Sequence, residues 1–285
     1  MSKQQGNSIT PLGYVREYKS LTNRVSLVCY GNRATLESRP PKAVSTLIPD
    51  GSRLPRGTPC SVPGKVVNND TLLEAKALID DGFSPVVLNM ANARSPGGGF
   101  RSGAGAQEEN LHRRSNLEFC LLHEVKQKRL KYPIPEFGVV YTPKATVFRS
   151  SEEGKYAYLS APFNVAVLSA AAYNRPSLGS NTLRSNYIAA MKKKVQAVIR
   201  CALHYGHDAI VLGAWGCGAF KNPPEDVARV MAEVVAEEAG TCRVHVAIIE
   251  DYNSRRNRGR SGISIIDTFR DAIESRKEGS TSREN

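Results

Sequence analysis

Two short apolar runs constrain this chain more than any other feature. Pro85–Met90 (PVVLNM) and Ala209–Leu212 (AIVL) are nearly uninterrupted by polar residues and do not alternate. A strand buried on both faces reads as such a continuous run, because helices cover both sides of its sheet. Each run is followed by a glycine-rich loop and then by a segment with helical periodicity. Strands alternating with helices imply a mainly parallel or mixed sheet between helical layers. In such sheets ligands sit outside the carboxyl ends of the strands. The two glycine loops therefore stand where a ligand would be met.

The remaining elements are read in the same way. Tyr14, Tyr18, Leu21, Val25 and Val28 recur at helical spacing and predict a first helix over Leu12–Tyr30. The stretch up to about Gly64, with Pro40-Pro41 and Pro55, reads as irregular cover or linker rather than core. Val66-Val67 reads as a short strand, with Asn69 or Asp70 capping a helix that carries Leu72, Leu73, Ala75 and Leu78. Asn110–Lys128 is expected as one helix, with Leu117, Leu121, Leu122 and Val125 on one side. Val139–Tyr141, Ala145–Phe148, Ala157–Ser160 and Val165–Ala170 are strand candidates. Leu183–His204 is a long helix whose stripe is Ile188, Met191, Val195, Val198, Ile199 and Ala202. Its Lys192, Lys193 and Lys194 read as a solvated face. Pro223–Ala239 is a helix with proline in its first turn. Val244–Ile249 is a strand, a last helix carries Ile266, Phe269 and Ile273, and the polar tail is expected to be disordered.

Composition narrows the partners without choosing one. The formal charge of +12 favours anions such as phosphates, nucleic acid or a polyanionic polymer. The six cysteines are dispersed and form no C-x-x-C pair, which reads as reduced thiols in a cytoplasmic or nuclear protein. The first residues lack the apolar run of a signal peptide, and no stretch is apolar enough to span a membrane. Arg255, Arg256 and Arg258 could serve nuclear targeting or form a surface turn.

The first loop reads ANARSPGGGFRSGAGAQEE, Ala91 to Glu109. Gly97, Gly98, Gly99, Gly103 and Gly105 permit positive φ and a close approach of backbone to ligand. Gln107, Glu108 and Glu109 close the loop where a helix begins. Carboxylates there are favoured by the helix dipole, so both glutamates could be ordinary first-turn acids. Beside a ligand-hugging loop they can instead divide the work on a sugar, one holding hydroxyls and the other moving a proton. Adjacent acids also raise one another's pKa, which keeps a proton available near neutral pH.

The second loop, GAWGCGAFKNPP, joins AIVL to the Pro223 helix. Gly213, Gly216 and Gly218 expose backbone N–H groups beside a helix N-terminus, an arrangement suited to a pyrophosphate. Neither G-x-x-x-x-G-K-[ST] nor G-x-G-x-x-G is present, so the loop is neither a P-loop nor a dinucleotide fingerprint. Trp215 reads as packing, and Phe220, taken by itself, could plug the core. Cys217 has no nearby histidine to make it a nucleophile.

Glycine triplet, short spacer and QEE together resemble the signature of the poly(ADP-ribose) glycohydrolases. VLNMANARSPGGGF is similar to the bacterial-type branch, and GCGAF-x-N-P resembles that branch's macrodomain diphosphate loop. The resemblance runs from about Val66 to the final helix. It implies a macrodomain-like three-layer α/β sandwich with a mixed sheet between helices. A helical N-terminal extension over 1–64 would pack on a catalytic domain over 65–275, leaving 276–285 as a tail. By position, Glu109 matches the catalytic acid–base and Glu108 its ribose-holding partner. Asn92 matches the asparagine at the terminal ribose, and Gln107 braces the loop. Gly97, Gly98 and Gly99 wrap the ribose, while Gly213, Gly216, Cys217, Gly218, Ala219 and Phe220 hold the diphosphate region. Ser160–Asn164 (SAPFN) resembles a family landmark lining the adenosine pocket.

The implied substrate is poly(ADP-ribose) or ADP-ribosylated protein, cleaved at ribose–ribose O-glycosidic bonds to release ADP-ribose. No cofactor, metal, membrane or specific nucleic-acid partner is expected. His204 with His207, and His112 with His123, lack metal-ligand spacing. Two alternatives use the same residues: hydrolysis of mono-ADP-ribosyl groups or small ADP-ribose derivatives, and non-catalytic ADP-ribose binding. A nucleic-acid-binding reading rests on charge alone.

Overall fold

The computed structural model describes residues 14–21, 24–31, 44–62, 64–100, 103–179, 182–250 and 261–274, the first two segments as backbone only. The expected tail from residue 275 and Arg255, Arg256 and Arg258 lie outside these residues. β1 (Tyr14–Leu21) and β2 (Arg24–Gly31) form an antiparallel pair, Tyr14 opposite Gly31 and Leu21 opposite Arg24. This corrects the helix expected over Leu12–Tyr30. Its apolar residues fit the helical period, but tyrosine, valine and leucine are abundant and valine is stiff in a helix. Two residues separate the strands, the length of a tight hairpin connection.

The main sheet has seven strands in the order β3-β6-β7-β5-β10-β11-β4. These are β3 (Thr46–Ile48), β4 (Lys65–Val67), β5 (Pro85–Met90), β6 (Val139–Arg149), β7 (Tyr158–Ala170), β10 (Ala209–Leu212) and β11 (Arg243–Ala247). β7, β5, β10, β11 and β4 run parallel, while β6 and β3 are antiparallel additions. β8 (Leu178–Gly179) and β9 (Thr182–Leu183) make a small separate pair. The sheet is mixed, as expected.

Helices cover both faces. α1 (Thr71–Asp80), α2 (Gln107–Arg114) and α3 (Leu117–Lys126) lie on one side; α4 (Ser185–His204), α5 (Pro224–Glu238) and α6 (Ile265–Glu274) lie on the other. Alternation along each strand divides the core: Val86, Leu88, Ile210 and Leu212 face α4–α6, and Val87, Ala209 and Val211 face α1–α3. Each fully buried valine or leucine stabilises the sandwich by roughly 1.5–3 kcal/mol. Asp70 caps α1, accepting from the Leu72 and Leu73 amides at 3.0 and 3.1 Å.

Four expectations shift. The helix expected over Asn110–Lys128 is broken between α2 and α3. Ser115 Oγ bonds the Leu111 carbonyl and Asn116 Oδ1 accepts from the Thr146 amide, so short polar side chains compete with the helical ladder. The strand candidates of residues 139–170 merge into two long strands, β6 and β7. Lys194 is not on a solvated face. Its Nζ donates to the carbonyls of Ala171 (3.0 Å) and Glu136, and burial lowers its pKa to about 8. The region before Gly64 is more than cover, because β3 pairs with β6 and the Cys60 amide bonds the Ala236 carbonyl at 2.8 Å. Among the described residues no helix is long and apolar enough to cross a membrane.

Candidate active site

β5 ends at Met90, and the chain enters the first glycine loop. Gln107, the first residue of α2, turns back onto the strand. Its Oε1 accepts from the Met90 amide at 2.9 Å and its Nε2 donates to the Leu88 carbonyl at 2.8 Å. The side chain thus extends the strand's hydrogen bonding and fixes the helix start against β5. Arg113, one face further along α2, donates from Nη2 to the carbonyls of Phe100 (3.0 Å) and Ala104. A buried guanidinium therefore clamps the loop from inside.

Between these anchors sit the two glutamates, 4 % and 8 % exposed. Glu108 accepts from the Asn92 amide at 2.7 Å and the Gly97 amide at 3.0 Å. Glu109 accepts from Gly99 and Ala106, both at 3.0 Å, and so caps its own helix. Gly98, at φ +50°, lies over both carboxylates, and any side chain there would enter the space between them. Burial raises the Glu108 carboxyl to about 7; the neighbouring Glu109 charge adds to this, and the Asn92 and Gly97 amides oppose it. His112 supports the arrangement from below. Its Nδ1 donates to the Glu108 carbonyl at 2.9 Å, and burial lowers its pKa to about 4, so the ring is neutral.

A cavity of about 600 Å3 is lined by Ala106, the residue whose amide Glu109 accepts from, and by Gln107 beside the glutamates in sequence. At one end Met90, Ala172, Trp215, Gly216, Gly218 and Phe220 line it; at the other are Asn68–Leu73, Ile248 and Ile249. Gly105, Ala106, Gln107, Asn110 and Arg114 form its α2 wall. The second loop is tightly folded. Asn222 Nδ2 donates to the carbonyls of Tyr173 (2.7 Å) and Gly216 (3.1 Å), and Gly216 adopts φ +78° against it. Among the described residues no group accepts from the N–H of Gly216, Gly218, Ala219 or Phe220. Amides without a protein acceptor, on residues that line the cavity just before an α-helix, are an arrangement suited to an anion.

Not every named residue lines the cavity. Gln107, Gly216, Gly218, Ala219 and Phe220 do. Glu108, Glu109, Gly97, Gly98, Gly99 and Asn92 do not line it. Asn92 Oδ1 is engaged by the amides of Arg94 and Ser95 at 2.8 and 3.3 Å. Gly213 packs against Met90, and the Cys217 thiol is fully buried with its pKa pushed well up by burial. Cys217 is thus neither a nucleophile nor a side-chain ligand contact. Ser160–Asn164 do not line the cavity: they lie on the outer half of β7, with Asn164 opposite Thr146. Ser151, Glu152 and Glu153, at the tip of the β6–β7 hairpin, line it instead.

Sequence reasoning gave no site role to Arg113 or Asn222 and read the Asn68–Leu73 wall only as a helix and its cap. The asparagine stood in the quoted loop motif, but Arg113 carries no local signal. Among the described residues no group of three or more His, Cys, Asp or Glu side chains could hold a metal ion.

The fold is a macrodomain-like α/β sandwich with a cleft at the carboxyl ends of its parallel strands. Residues 15–150 match the family described as microbial-type PARG, catalytic domain. Over those residues the chain is similar to that family. It is similar to the poly(ADP-ribose) glycohydrolase of Thermomonospora curvata, at 28% identity over 90% of this chain and 92% of that one, with a TM-score of 0.62. The same enzyme bound to the inhibitor ADP-HPD matches at 27% identity over the same shares, with a TM-score of 0.63. The Deinococcus radiodurans enzyme in complex with ADP-ribose matches at 25% identity over 87% of this chain and 99% of that one, with a TM-score of 0.63. No curated protein sequence matches the chain.

Proposed function

We propose that this chain hydrolyses the ribose–ribose O-glycosidic bonds of poly(ADP-ribose) and releases ADP-ribose, with Glu109 as acid–base. The observation that carries the reading is the pair Glu108 and Glu109, packed under Gly98, with Glu109 bonded to Ala106 of a cavity that Gly216, Gly218, Ala219 and Phe220 also line. The terminal pyrophosphate lies on those amides. The adenosine extends toward Asn68–Leu73 and Ile248. The distal ribose reaches the first loop, where Glu108 and the Asn92 amide group hold its hydroxyls.

Burial raises the Glu108 carboxyl to about 7, which keeps a proton at the site near neutral pH. Glu109 delivers it, because its carboxylate is tied to the cavity-lining Ala106 whereas Glu108 is tied inward to Asn92 and Gly97. Protonation of the departing 2′-oxygen lets the glycosidic bond break with positive charge on the anomeric carbon. The adjacent pyrophosphate stabilises that charge. Water attacks, Glu109 takes its proton, and the pair is restored.

The decisive experiment is incubation of the purified chain with poly(ADP-ribose), followed by chromatography of the products. ADP-ribose as the product supports the reading; unchanged polymer rejects it. A mono-ADP-ribosylated protein incubated in parallel separates polymer hydrolysis from removal of single units.

A further inference from the structure

Lys194 of α4 is a buried cation that the catalytic reading does not use. It is 5 % exposed, and among the described residues no carboxylate pairs with it. Dipoles solvate the ammonium instead. Nζ donates to the carbonyls of Ala171 (3.0 Å) and Glu136, and it stands 4.6 Å from the centre of the Tyr173 ring and 5.8 Å from that of Phe137. A lysine buried without a carboxylate is rare, because the charge leaves water at a large cost. That cost lowers its pKa to about 8, so the side chain is still charged at pH 7.

The same contacts place this charge behind the second loop. Ala171 continues into Ala172, which lines the cavity, and then into Tyr173, whose carbonyl accepts from Asn222 Nδ2 at 2.7 Å. Ala172 packs on Gly216, where an added β-carbon would stand 2.7 Å from the Ala172 Cβ. Trp215 lines the cavity and also, with Ala171 and Lys194, a small void behind it. Ala171, Ala172 and Trp215 are all buried. A single layer of residues therefore separates the ammonium from the anion cradle, the cavity-lining residues of the second loop whose amides have no protein acceptor. A dry layer screens little of the charge.

The neighbouring charges are otherwise matched. On α4, Lys192 pairs with Glu233 and Glu237 of α5, and Arg200 with Glu238. Asp50 and Arg53 pair with one another at 3.1 Å, on the turn whose Gly51 amide bonds the Phe137 carbonyl. Lys193 is exposed over the outer Phe137 ring. Glu136 is exposed and accepts from the Tyr173 hydroxyl, and Tyr187 packs edge-on against the Tyr173 ring. Burial keeps the Tyr173 hydroxyl and the Cys217 thiol protonated.

We infer that Lys194 is the buried counter-charge of the diphosphate site, acting through the Ala171–Ala172–Trp215 layer to strengthen anion binding at the second loop. The inference rests on the reading of that loop as the diphosphate site. Lys194 does not touch the ligand; it is a positioning residue that also supplies a field. Linkage makes the effect reciprocal: a charge that favours the bound anion is itself favoured by it. Binding ADP-ribose should therefore raise the Lys194 pKa above its free value of about 8. Affinity is then full below pH 8 and declines as pH rises through that value. ADP-ribose keeps the same charge over this range, since each of its phosphates has only one ionisable oxygen.

The test is ADP-ribose calorimetry on the intact chain from pH 7 to about 9.5. Wild-type Kd should rise about fivefold to tenfold across this range. At about pH 8.5, buffers of different ionisation enthalpy should reveal uptake of roughly half a proton on binding. Lys194→Arg keeps the charge but does not titrate here, so slope and uptake should both vanish. Lys194→Met should bind about tenfold more weakly at pH 7, again without a slope. A wild-type affinity that is flat with pH and takes up no proton overturns the inference, whether or not the variants fold. A slope that persists in Lys194→Arg does the same by assigning the proton to another group, as does full affinity in Lys194→Met. A wild-type chain that binds no ADP-ribose at any pH rejects the diphosphate reading together with this one, whereas binding without the slope rejects this one alone.

Discussion

A Cβ on Gly98 would stand 2.5 Å from Oε1 of Glu109 and 3.0 Å from Oε2 of Glu108. No β-carbon tolerates such contacts, and φ +50° adds a penalty of roughly 1–2 kcal/mol for any L side chain. Gly98→Ala must therefore push the loop off the carboxylates or turn the carboxylates away. Polymer hydrolysis should fall at least ~10²-fold, because misplacing a catalytic group by an ångström has consequences of that order. The core strands lie elsewhere, so a circular dichroism spectrum should stay native. A variant with near-normal turnover would show that Gly98 does not set the acids' position.

Glu109→Gln keeps the shape and one acceptor but removes the proton. Its NH2 faces the Ala106 or Gly99 amide, where the carboxylate accepts a hydrogen bond. Losing that cap should destabilise the chain by about 1 kcal/mol. Hydrolysis should drop by at least ~10² while ADP-ribose still binds, since the anion cradle is untouched. Calorimetry with ADP-ribose and a product assay on the same preparation check both halves. Turnover equal to wild type would move the acid–base role off this residue.

The buried proton at Glu108 has a thermodynamic signature. Its folded pKa of about 7 exceeds the ordinary value of 4.5, so between these values the folded state binds more proton than the unfolded one. Stability is therefore highest below pH 4.5 with respect to this group and falls as pH rises toward 7, by on the order of 2–3 kcal/mol in all. His112 works in the opposite sense: its pKa is lowered to about 4, and its contribution rises with pH between 4 and 6.5. Raw melting curves mix the two. The difference between wild type and Glu108→Gln isolates the glutamate, and wild type should lose ground to the variant from pH 5 to 7.5. A pH-independent difference would mean that Glu108 is ionised throughout.

Arg113 ties the same loop from the inside. Arg113→Met keeps much of the packing volume but strips the donors from the Phe100 and Ala104 carbonyls. Hydrogen bonds to a charged donor contribute roughly 1.5–3 kcal/mol each, so loss of both should loosen the loop. The expected result is a fall in kcat of about tenfold or more with ADP-ribose affinity less affected, because the residue acts on the acids' side of the cleft. A change confined to thermal stability would make Arg113 structural only.

These supports explain what could be read from residues alone. Pro85–Met90 and Ala209–Leu212 are legible as strands because both faces are buried, so their pattern carries no ambiguity of period. The glutamates and glycines are legible because each loop is contiguous. The Leu12–Tyr30 segment is not, since Tyr14, Tyr18 and Leu21 fit a helix while Val25, Leu27 and Cys29 alternate as a strand. Lys194 and Arg113 follow the charge pattern of surface residues, and only tertiary packing supplies the carbonyls that bury them. Ser151–Glu153 reach the cavity through the curl of a long hairpin, which no local spacing encodes.

Asn222 gives the last test, because it joins two segments that no sequence proximity connects. Its Nδ2 spans the Tyr173 and Gly216 carbonyls at 2.7 and 3.1 Å, and the residue is fully buried. Asn222→Ala leaves both carbonyls without this donor in a closed interior, which should cost roughly 2–4 kcal/mol. It also frees Gly216 from its φ +78° turn, so the amides that face the cavity lose their common direction. ADP-ribose affinity should fall about tenfold, as expected when one anchored anion contact is lost. Asn222→Asp should not rescue it, since a carboxylate presents acceptors to two carbonyls. Thermal melts and ADP-ribose calorimetry on both variants separate loss of fold from loss of the cradle. A stable Asn222→Ala chain that binds ADP-ribose as tightly as wild type would show that the 216–220 amides need no such brace.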